Sequence, residues 1–181
     1  MRHVLFSRKR GFTLIEIIVV VAIVTFLSGY LLVYTGRSRS QITLSIEQSK
    51  LIQIIARSKA LAISTYSNPR APCGYGVRMR YGENAYALYR YDSDDCGGIS
   101  SVDTASAGYA EFQTFLLPQG IVFVDGEARI ETALFVPPDP TVFLWSDGGI
   151  LLSSSGNIYL ETKDGSARAS VSMNPGGQIS F

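Results

Sequence analysis

The sequence contains almost none of the side chains on which most enzyme and metal sites depend. Its 181 residues include one histidine, His3, and two cysteines, Cys73 and Cys96. The chain after His3 therefore has no imidazole to serve as a general base, a metal ligand or a pH switch. Two cysteines alone do not complete a tetrahedral zinc site. We expect a protein that is not an enzyme and that holds no metal or other cofactor.

Basic residues are scarce outside the first 11 positions. Four of the 16 lysines and arginines lie there, namely Arg2, Arg8, Lys9 and Arg10. The formal charge of +1 for the whole chain becomes about −3 without this segment, because 12 basic and 15 acidic side chains are left. A chain with this balance has no general basic face, so nucleic acid is not expected as a partner.

Proline is absent before Pro69, so nothing forces a break in a helix across residues 12–65. The run from Phe12 to Tyr34 is apolar and carries one charge, Glu16. A helix of this length measures about 35 Å, enough to cross a hydrocarbon core of roughly 30 Å. It is too long for a secretory signal, and no small-residue cleavage site follows it. With basic residues just before it, we predict a transmembrane helix over 12–34 whose N-terminus is inside.

Glu16 is out of place in a simple membrane anchor. A carboxylate within a lipid-facing helix costs about 2.5–3.5 kcal/mol on insertion scales. Such a side chain needs a partner, and the first 34 residues offer only the basic cluster and a chain terminus. The single charge at Glu16 therefore indicates that this helix does more than anchor the chain in a membrane.

The segment Lys9–Glu16, which reads KRGFTLIE, resembles the class III signal of type IV pilins and pseudopilins. This resemblance implies that residues 1–11 are a leader, which a prepilin peptidase removes by cutting between Gly11 and Phe12. Phe12 would then become the N-methylated first residue. The resemblance also implies that Glu16 pairs with the terminal amine of a neighbouring subunit and sets the register of assembly.

The same resemblance implies a set of partners and a location. The partners are the prepilin peptidase, other pilin or pseudopilin subunits, an inner-membrane assembly platform and the lipid bilayer. The chain would start as a single-pass protein of the inner membrane with its head outside the cytoplasm. It would later become part of a pilus or of a secretion pseudopilus.

The second half of the predicted helix is amphipathic. One stripe at helical spacing contains Leu44, Leu51, Ile55, Ser58 and Ala62, with Ile54 at its margin. We expect this stripe to pack on a C-terminal domain. Ile42, Ile46, Gln53 and Arg57 lie on the other side, where the two isoleucines are either scattered surface residues or contacts between helices in a filament.

The chain beyond the helix has the patterns of β-structure. Asn68–Pro72 ends the helix, and eight or nine short strands follow. Their predicted ranges are Tyr75–Tyr81, Tyr86–Tyr91, Phe112–Leu117, Ile121–Val124, Thr132–Val136, Thr141–Trp145, Ile158–Thr162, Ala167–Met173 and Gln178–Phe181. We therefore predict an α+β fold, in which a long N-terminal helix packs on an antiparallel β-rich head domain over 66–181.

The two cysteines flank the first predicted hairpin. The domain follows a membrane segment and should face an oxidising exterior, where a cysteine pair is typical of a disulfide. Closing the loop between Cys73 and Cys96 would stabilise the head by roughly 3 kcal/mol in the chain-entropy model.

Two other features of the head have alternative interpretations. The acidic loop Asp92–Asp95 is either a solvated turn or a set of oxygen ligands for calcium. The five tyrosines of the first hairpin either form a binding surface or pack on the helix stripe and across strands. They are Tyr75, Tyr81, Tyr86, Tyr89 and Tyr91.

Two further segments carry a finer resemblance. Gln48 to Ala62 and Ala167 to Ile179 resemble the end of the long helix and the last hairpin of the H-type minor pseudopilin and FimT group. Members of that group that take up DNA should have a run of basic residues near the C-terminus, where this chain has almost only Arg168. A DNA receptor is therefore not expected. A major pilin, or an anchored extracellular binding domain that never polymerises, also fits the sequence.

Overall fold

The computed structural model describes residues 12–66, 71–93, 96, 98–138 and 141–181, except for the side chains of residues 32–38. It divides into two compact units between Arg39 and Ser40. The predicted leader lies outside the described residues, as does part of the segment predicted to end the helix.

A single long helix, α1, spans Leu14–Thr65. This agrees with the absence of proline before Pro69. In the first unit every described side chain of α1 up to Leu31 is exposed, including the large apolar ones. In the second unit one stripe of α1 is buried.

The head contains nine strands in its described part, arranged as two antiparallel sheets. The strands are β1 Gly74–Arg80, β2 Ala85–Tyr91, β3 Tyr109–Leu116, β4 Ile121–Val124, β5 Thr132–Val136, β6 Thr141–Trp145, β7 Gly156–Thr162, β8 Arg168–Met173 and β9 Ile179–Ser180. The first sheet has the order β3-β2-β1-β5-β6, and the second has the order β4-β7-β8-β9. The α+β prediction is confirmed, with an antiparallel β-domain packed on the helix.

The buried stripe of α1 is the one predicted from its spacing. Leu44, Leu51, Ile55 and Ala62 belong to a hydrophobic core shared with both sheets. The first sheet contributes residues such as Val77 and Leu88, which pair across β1 and β2. The second sheet contributes the inward-facing residues Ile158, Leu160 and Val171. The second half of α1 thus supplies one face of a core that joins the two sheets.

A second, smaller core lies on the other face of the first sheet. Because successive side chains of a strand point to opposite faces, Tyr89 points away from the core that contains Leu88. Tyr89, Tyr91 and Trp145 are buried there with Ile99, which belongs to the loop between β2 and β3. Gly76 permits this arrangement, since a Cβ at that position would lie 2.3 Å from the Tyr89 ring. The loop that follows β2 is therefore a cover for the sheet.

The hairpin tyrosines are divided between the two cores. Tyr86 belongs to the core that contains the helix stripe, and its ring stacks on Phe115 of the neighbouring strand at 5.2 Å. Tyr89 and Tyr91 instead lie beneath the loop, so the expectation of packing on the helix stripe is wrong for these two, whereas packing across strands is confirmed for Tyr89, whose ring lies 4.9 Å from that of Tyr109 in β3. The loop supplies enough apolar surface to bury the far face of the sheet.

The stripe gives a direct test of the fold. Ile55 is 0% exposed, whereas Ile46, on the same helix, is 49% exposed. Ile55→Ala should lower the free energy of unfolding of the head by about 2–5 kcal/mol, because it removes buried methyl groups and leaves a cavity. Ile46→Ala should change it by less than about 0.5 kcal/mol. Denaturant unfolding of the full chain in detergent, followed by the near-ultraviolet signal of Trp145, measures both. Equal losses would contradict the packing.

Candidate assembly segment and charged surfaces of the head

The helix has a defined start next to the predicted processing site. Thr13 immediately precedes α1, and its Oγ1 accepts a hydrogen bond from the backbone N–H of Glu16 at 3.3 Å. Thr13 and Glu16 thus occupy the first and last positions of a Thr-x-x-Glu capping motif. Such a cap satisfies one of the amide groups that a helix leaves unpaired at its N-terminus. It also places the Glu16 carboxylate in the first turn, where the helix dipole favours negative charge.

Glu16 is the one charged side chain between Leu14 and Leu31. Within the described part of the chain, its carboxylate forms no hydrogen bond or ion pair. Thr25, another polar residue of this stretch, is satisfied within the helix, because its hydroxyl donates to the carbonyl oxygens of Val21 and Ala22. Glu16 is therefore the one charged group of Leu14–Leu31, and its carboxylate needs a partner from elsewhere.

By length and composition, Leu14–Leu31 is the one stretch of helix among the described residues that suffices to cross a membrane. Signal sequences and buried helices of soluble proteins meet the same criteria. Every side chain in this stretch is exposed, so it is not the buried helix of a soluble protein in this structure. The choice between a signal sequence and a membrane anchor depends on the sequence motif.

Residues 6–32 match the family model described as the prokaryotic N-terminal methylation motif. This match supports a type IV pilin or pseudopilin family for the chain. This pilin motif covers the basic cluster, the Gly11–Phe12 junction and Glu16. No curated protein and no solved structure matches the chain. The family is one of structural subunits, and the motif generally implies processing by a prepilin peptidase and assembly with other pilin subunits.

The structure places only some of the residues predicted for processing and assembly. Gly11 lies outside the described residues. Phe12 precedes α1 and is 79% exposed, and Glu16 lies one turn into the helix. Cleavage between Gly11 and Phe12, methylation of Phe12 and the register role of Glu16 stay predictions.

Sequence reasoning missed one polar residue in the buried stripe. Glu47 is 4% exposed and forms an ion pair with Lys50, one turn further along α1. Its position, three residues after Leu44 and four before Leu51, continues the stripe. The spacing was therefore available as a signal, although a carboxylate is rarely buried without a partner. Glu47 is thus the second acidic residue of α1, and unlike the exposed Glu16 it is surrounded by the head.

Polar bonds attach α1 to both sheets of the head. Gln48 Nε2 donates to the carbonyl oxygen of Ser170 in β8 at 2.8 Å. Arg57 Nη1 donates to Gln113 Oε1 in β3 at 2.9 Å. Bonds at positions nine residues apart fix both the rotation and the axial position of the helix on the head, because each needs a specific geometry.

Three arginines of the head line a crevice of about 560 Å³, and each has a carboxylate partner. Arg78 lies 3.8 Å from Glu131, and Arg80 lies 3.0 Å from Glu83. Arg129 lies 2.8 Å from Asp147 and also pairs with Asp125. Glu111 is a further carboxylate partner of Arg80. Five carboxylates thus face three guanidinium groups, so every positive charge of the network is compensated and it has the character of a structural cluster.

Tyr81 connects this cluster to the core. The guanidinium of Arg129 lies 4.3 Å from the centre of the Tyr81 ring, and the Tyr81 hydroxyl donates to the carbonyl oxygen of Ile130 at 2.8 Å. Burial raises the pKa of the Tyr81 phenol far above its ordinary value, which outweighs the opposite effect of Arg129. The phenol therefore stays protonated and keeps donating its hydrogen bond at any physiological pH.

A disulfide joins Cys73 to Cys96, with 5.2 Å between their Cα atoms. Cys73 is buried at the edge of the second core, just before β1. The bond attaches the start of the cover loop to the sheet beneath it. The neighbouring acidic loop lies partly outside the described residues, which include neither Asp94 nor Asp95, and the calcium alternative stays a hypothesis.

The disulfide should be required for a closed cover loop. Breaking it with Cys96→Ser should lower the free energy of unfolding by roughly 3 kcal/mol, because the unfolded chain regains the freedom of a loop of 23 residues. Peptide mapping of unreduced native protein should recover the linked pair. Two alkylatable thiols in the oxidised protein would contradict the bond. Ser101→Ala, an exposed change in the same loop, is the control and should leave stability unchanged.

Proposed function

We propose that this chain is a minor pilin or pseudopilin subunit of a type IV pilus or of a type II secretion pseudopilus. A prepilin peptidase removes residues 1–11 and methylates Phe12. The subunit then polymerises through the apolar half of α1, while the head remains outside the cytoplasm. The observation that carries this proposal is the pilin motif over residues 6–32, which includes Glu16 as the one charge of the exposed apolar stretch Leu14–Leu31.

Assembly follows from the conflict between that helix and its solvent. Before assembly, lipid covers the apolar side chains, and Glu16 lies near the inner interface, where water and basic side chains reduce its cost. In a filament, neighbouring helices replace the lipid. A carboxylate buried there must be paired or protonated. The amine of a cleaved Phe12 on the next subunit is the natural partner.

This pairing sets the register of one helix on the next. Apolar helices slide along one another at small cost, whereas a misaligned helix leaves the Glu16 charge unpaired. The exposed residues Ile42 and Ile46 extend the contact surface beyond the membrane segment. In this mechanism the protein acts by assembly and performs no catalysis.

The assignment to a minor subunit is supported by a contact within the head. The two segments that resemble the H-type minor pseudopilin and FimT group bind each other, through Gln48 with Ser170 and through Lys59 Nζ with the Gly177 carbonyl oxygen at 3.2 Å. A major pilin, or an anchored binding domain that does not polymerise, is the alternative. Cross-linking between neighbouring N-terminal helices distinguishes the anchored domain from a polymerising subunit.

Processing provides the first test. Protein isolated from its native host should begin with N-methylated Phe12 when its N-terminal peptide is analysed by mass spectrometry. A bulky replacement, Gly11→Leu, should leave the precursor uncut in the membrane, because the peptidase reads the junction. A mature chain that retains residues 1–11 would refute the pilin proposal as a whole.

The register role of Glu16 is tested by separating cleavage from assembly. Glu16→Ala should be cleaved like the wild type and yet enter filaments poorly, because nothing fixes the helix offset. Glu16→Asp, which shortens the reach by one methylene, should be intermediate. The measurement is the ratio of cleaved subunit in sheared filaments to that in membranes.

Thr25→Ala is the matched control for this experiment. It also removes a polar group from the apolar half of α1, but the Thr25 hydroxyl is satisfied within its own helix. We expect it to enter filaments normally. Equal incorporation of Glu16→Ala and wild type would refute the register role while leaving the processing result intact.

A further inference from the structure

A second crevice of the head lies on the helix side of the first sheet and is separate from the crevice that Arg78, Arg80 and Arg129 line. It measures about 520 Å³ and lies between the last turns of α1 and the strands β1, β2 and β3. Its lining comes from Arg57 and Leu61 of α1, Tyr75, Arg90, and the β3 segment Ala110–Phe112. The rings of Tyr75 and Phe112 meet edge to face at 6.1 Å and form an apolar wall.

The two arginines of this crevice lack acidic partners among the described residues. Arg57 donates to the neutral amide of Gln113, and Arg90 is exposed and forms no hydrogen bond or ion pair there. The Glu111 carboxylate does not neutralise them, because it is bound by Arg80 and by the Tyr109 hydroxyl. The crevice therefore combines two uncompensated positive charges with an apolar wall, which favours a ligand that has both an anionic and an apolar group.

The same crevice borders a free sheet edge. β3 ends the first sheet, and its eight residues have β2 as a neighbour on one side only. In the described part of the chain, no backbone hydrogen bond joins residues 110–116 to any segment other than β2. Proteins usually protect such an edge with lysine, proline, a β-bulge or a covering segment; β3 contains neither lysine nor proline, and its one irregularity is a bulge at Phe112. The side chains of Phe112 and Leu116 are exposed along it.

The register of the sheet connects the edge to the charges. Ala110 of β3 lies directly opposite Arg90 of β2. Neighbouring strands are about 4.8 Å apart, so a strand added beside β3 lies about 10 Å from the backbone of Arg90. The extended side chains of an arginine and a glutamate span that distance together. The small side chain of Ala110 leaves the path between them open.

We propose that the β3 edge binds an extended segment of a partner protein, which adds as a further strand and carries an acidic residue two positions from an apolar one. The acidic side chain pairs with Arg90 and Arg57, and the apolar side chain packs on Phe112 and Tyr75. Main-chain hydrogen bonds supply affinity, and these two pockets supply specificity. The surface lies entirely within the second unit, so it does not depend on filament assembly.

The probe is a hexapeptide amide of sequence Thr-Glu-Val-Phe-Val-Thr, in which the acidic and aromatic side chains share one face of a strand. Its binding to the full chain in detergent is followed by fluorescence anisotropy with a neutral dye. We expect saturable binding that weakens as salt is raised. Arg90→Glu and Arg57→Glu should each reduce affinity roughly tenfold or more, since charge-assisted hydrogen bonds are lost.

Three controls separate this binding mode from others. Lys163→Glu makes the same charge change at an exposed turn of the other sheet and should alter affinity less than about twofold. A peptide with glutamine in place of glutamate should bind as weakly as the wild-type peptide binds Arg90→Glu. A peptide methylated on alternate backbone nitrogens should not bind, because it cannot pair with β3.

Three results would overturn the proposal. They are the absence of saturable binding by the hexapeptide, binding that Arg90→Glu and Arg57→Glu leave unchanged, and equal binding of the methylated peptide. Arginine-dependent binding of an acidic oligosaccharide without peptide binding would also overturn it and would assign the crevice to a glycan. The near-ultraviolet signal of Trp145 verifies that each variant is folded.

Discussion

The burial of one stripe of α1 against two separate sheets is the interaction on which the head depends. Neither sheet closes on itself, and each leaves an apolar face that must be covered. Leu51 and Ile55 lie where inward-facing residues of both sheets meet. Polar bonds to β8 and β3 then fix the helix in one position. The same helix begins with the pilin motif, so the element that organises the head is also the element that is predicted to assemble.

Much of this fold follows from the sequence because its signals are periodic and local. The buried stripe appears at helical spacing, and each of the nine observed strands lies within a few residues of a predicted one. Glu47 was not recognised because a charge normally marks the exposed face of a helix, and only its spacing relates it to Leu44 and Leu51. Its partner Lys50 lies three residues further along the same helix and is exposed, so the ion pair itself is local, whereas the burial of Glu47 depends on the packing of the head on α1.

The second core was not predicted, for a different reason. The loop between β2 and β3 is rich in glycine, serine and alanine and has no periodic pattern. Two of its apolar residues, Ile99 and Val102, cover the sheet, and the Cys73–Cys96 disulfide attaches the loop beside them. Trp145 also donates its indole N–H to the Ser100 carbonyl oxygen at 2.9 Å. Contacts between such distant positions depend on the sheet between them and leave no short-range trace. Of the candidate surfaces, the crevice at β3 likewise emerges only when three strands and the helix are brought together.

The first sheet separates the helix-facing core from the core beneath the cover loop, and this has a consequence for how the protein tolerates change. Residues in the two cores, such as Ile55 and Trp145, belong to separate hydrophobic clusters. Effects of substitutions at sites without shared partners and more than about 7–10 Å apart are close to additive. The cover can therefore acquire new side chains while the helix-bearing side keeps its geometry. The sheet acts as a partition that lets the outer surface of the subunit diversify independently of its attachment.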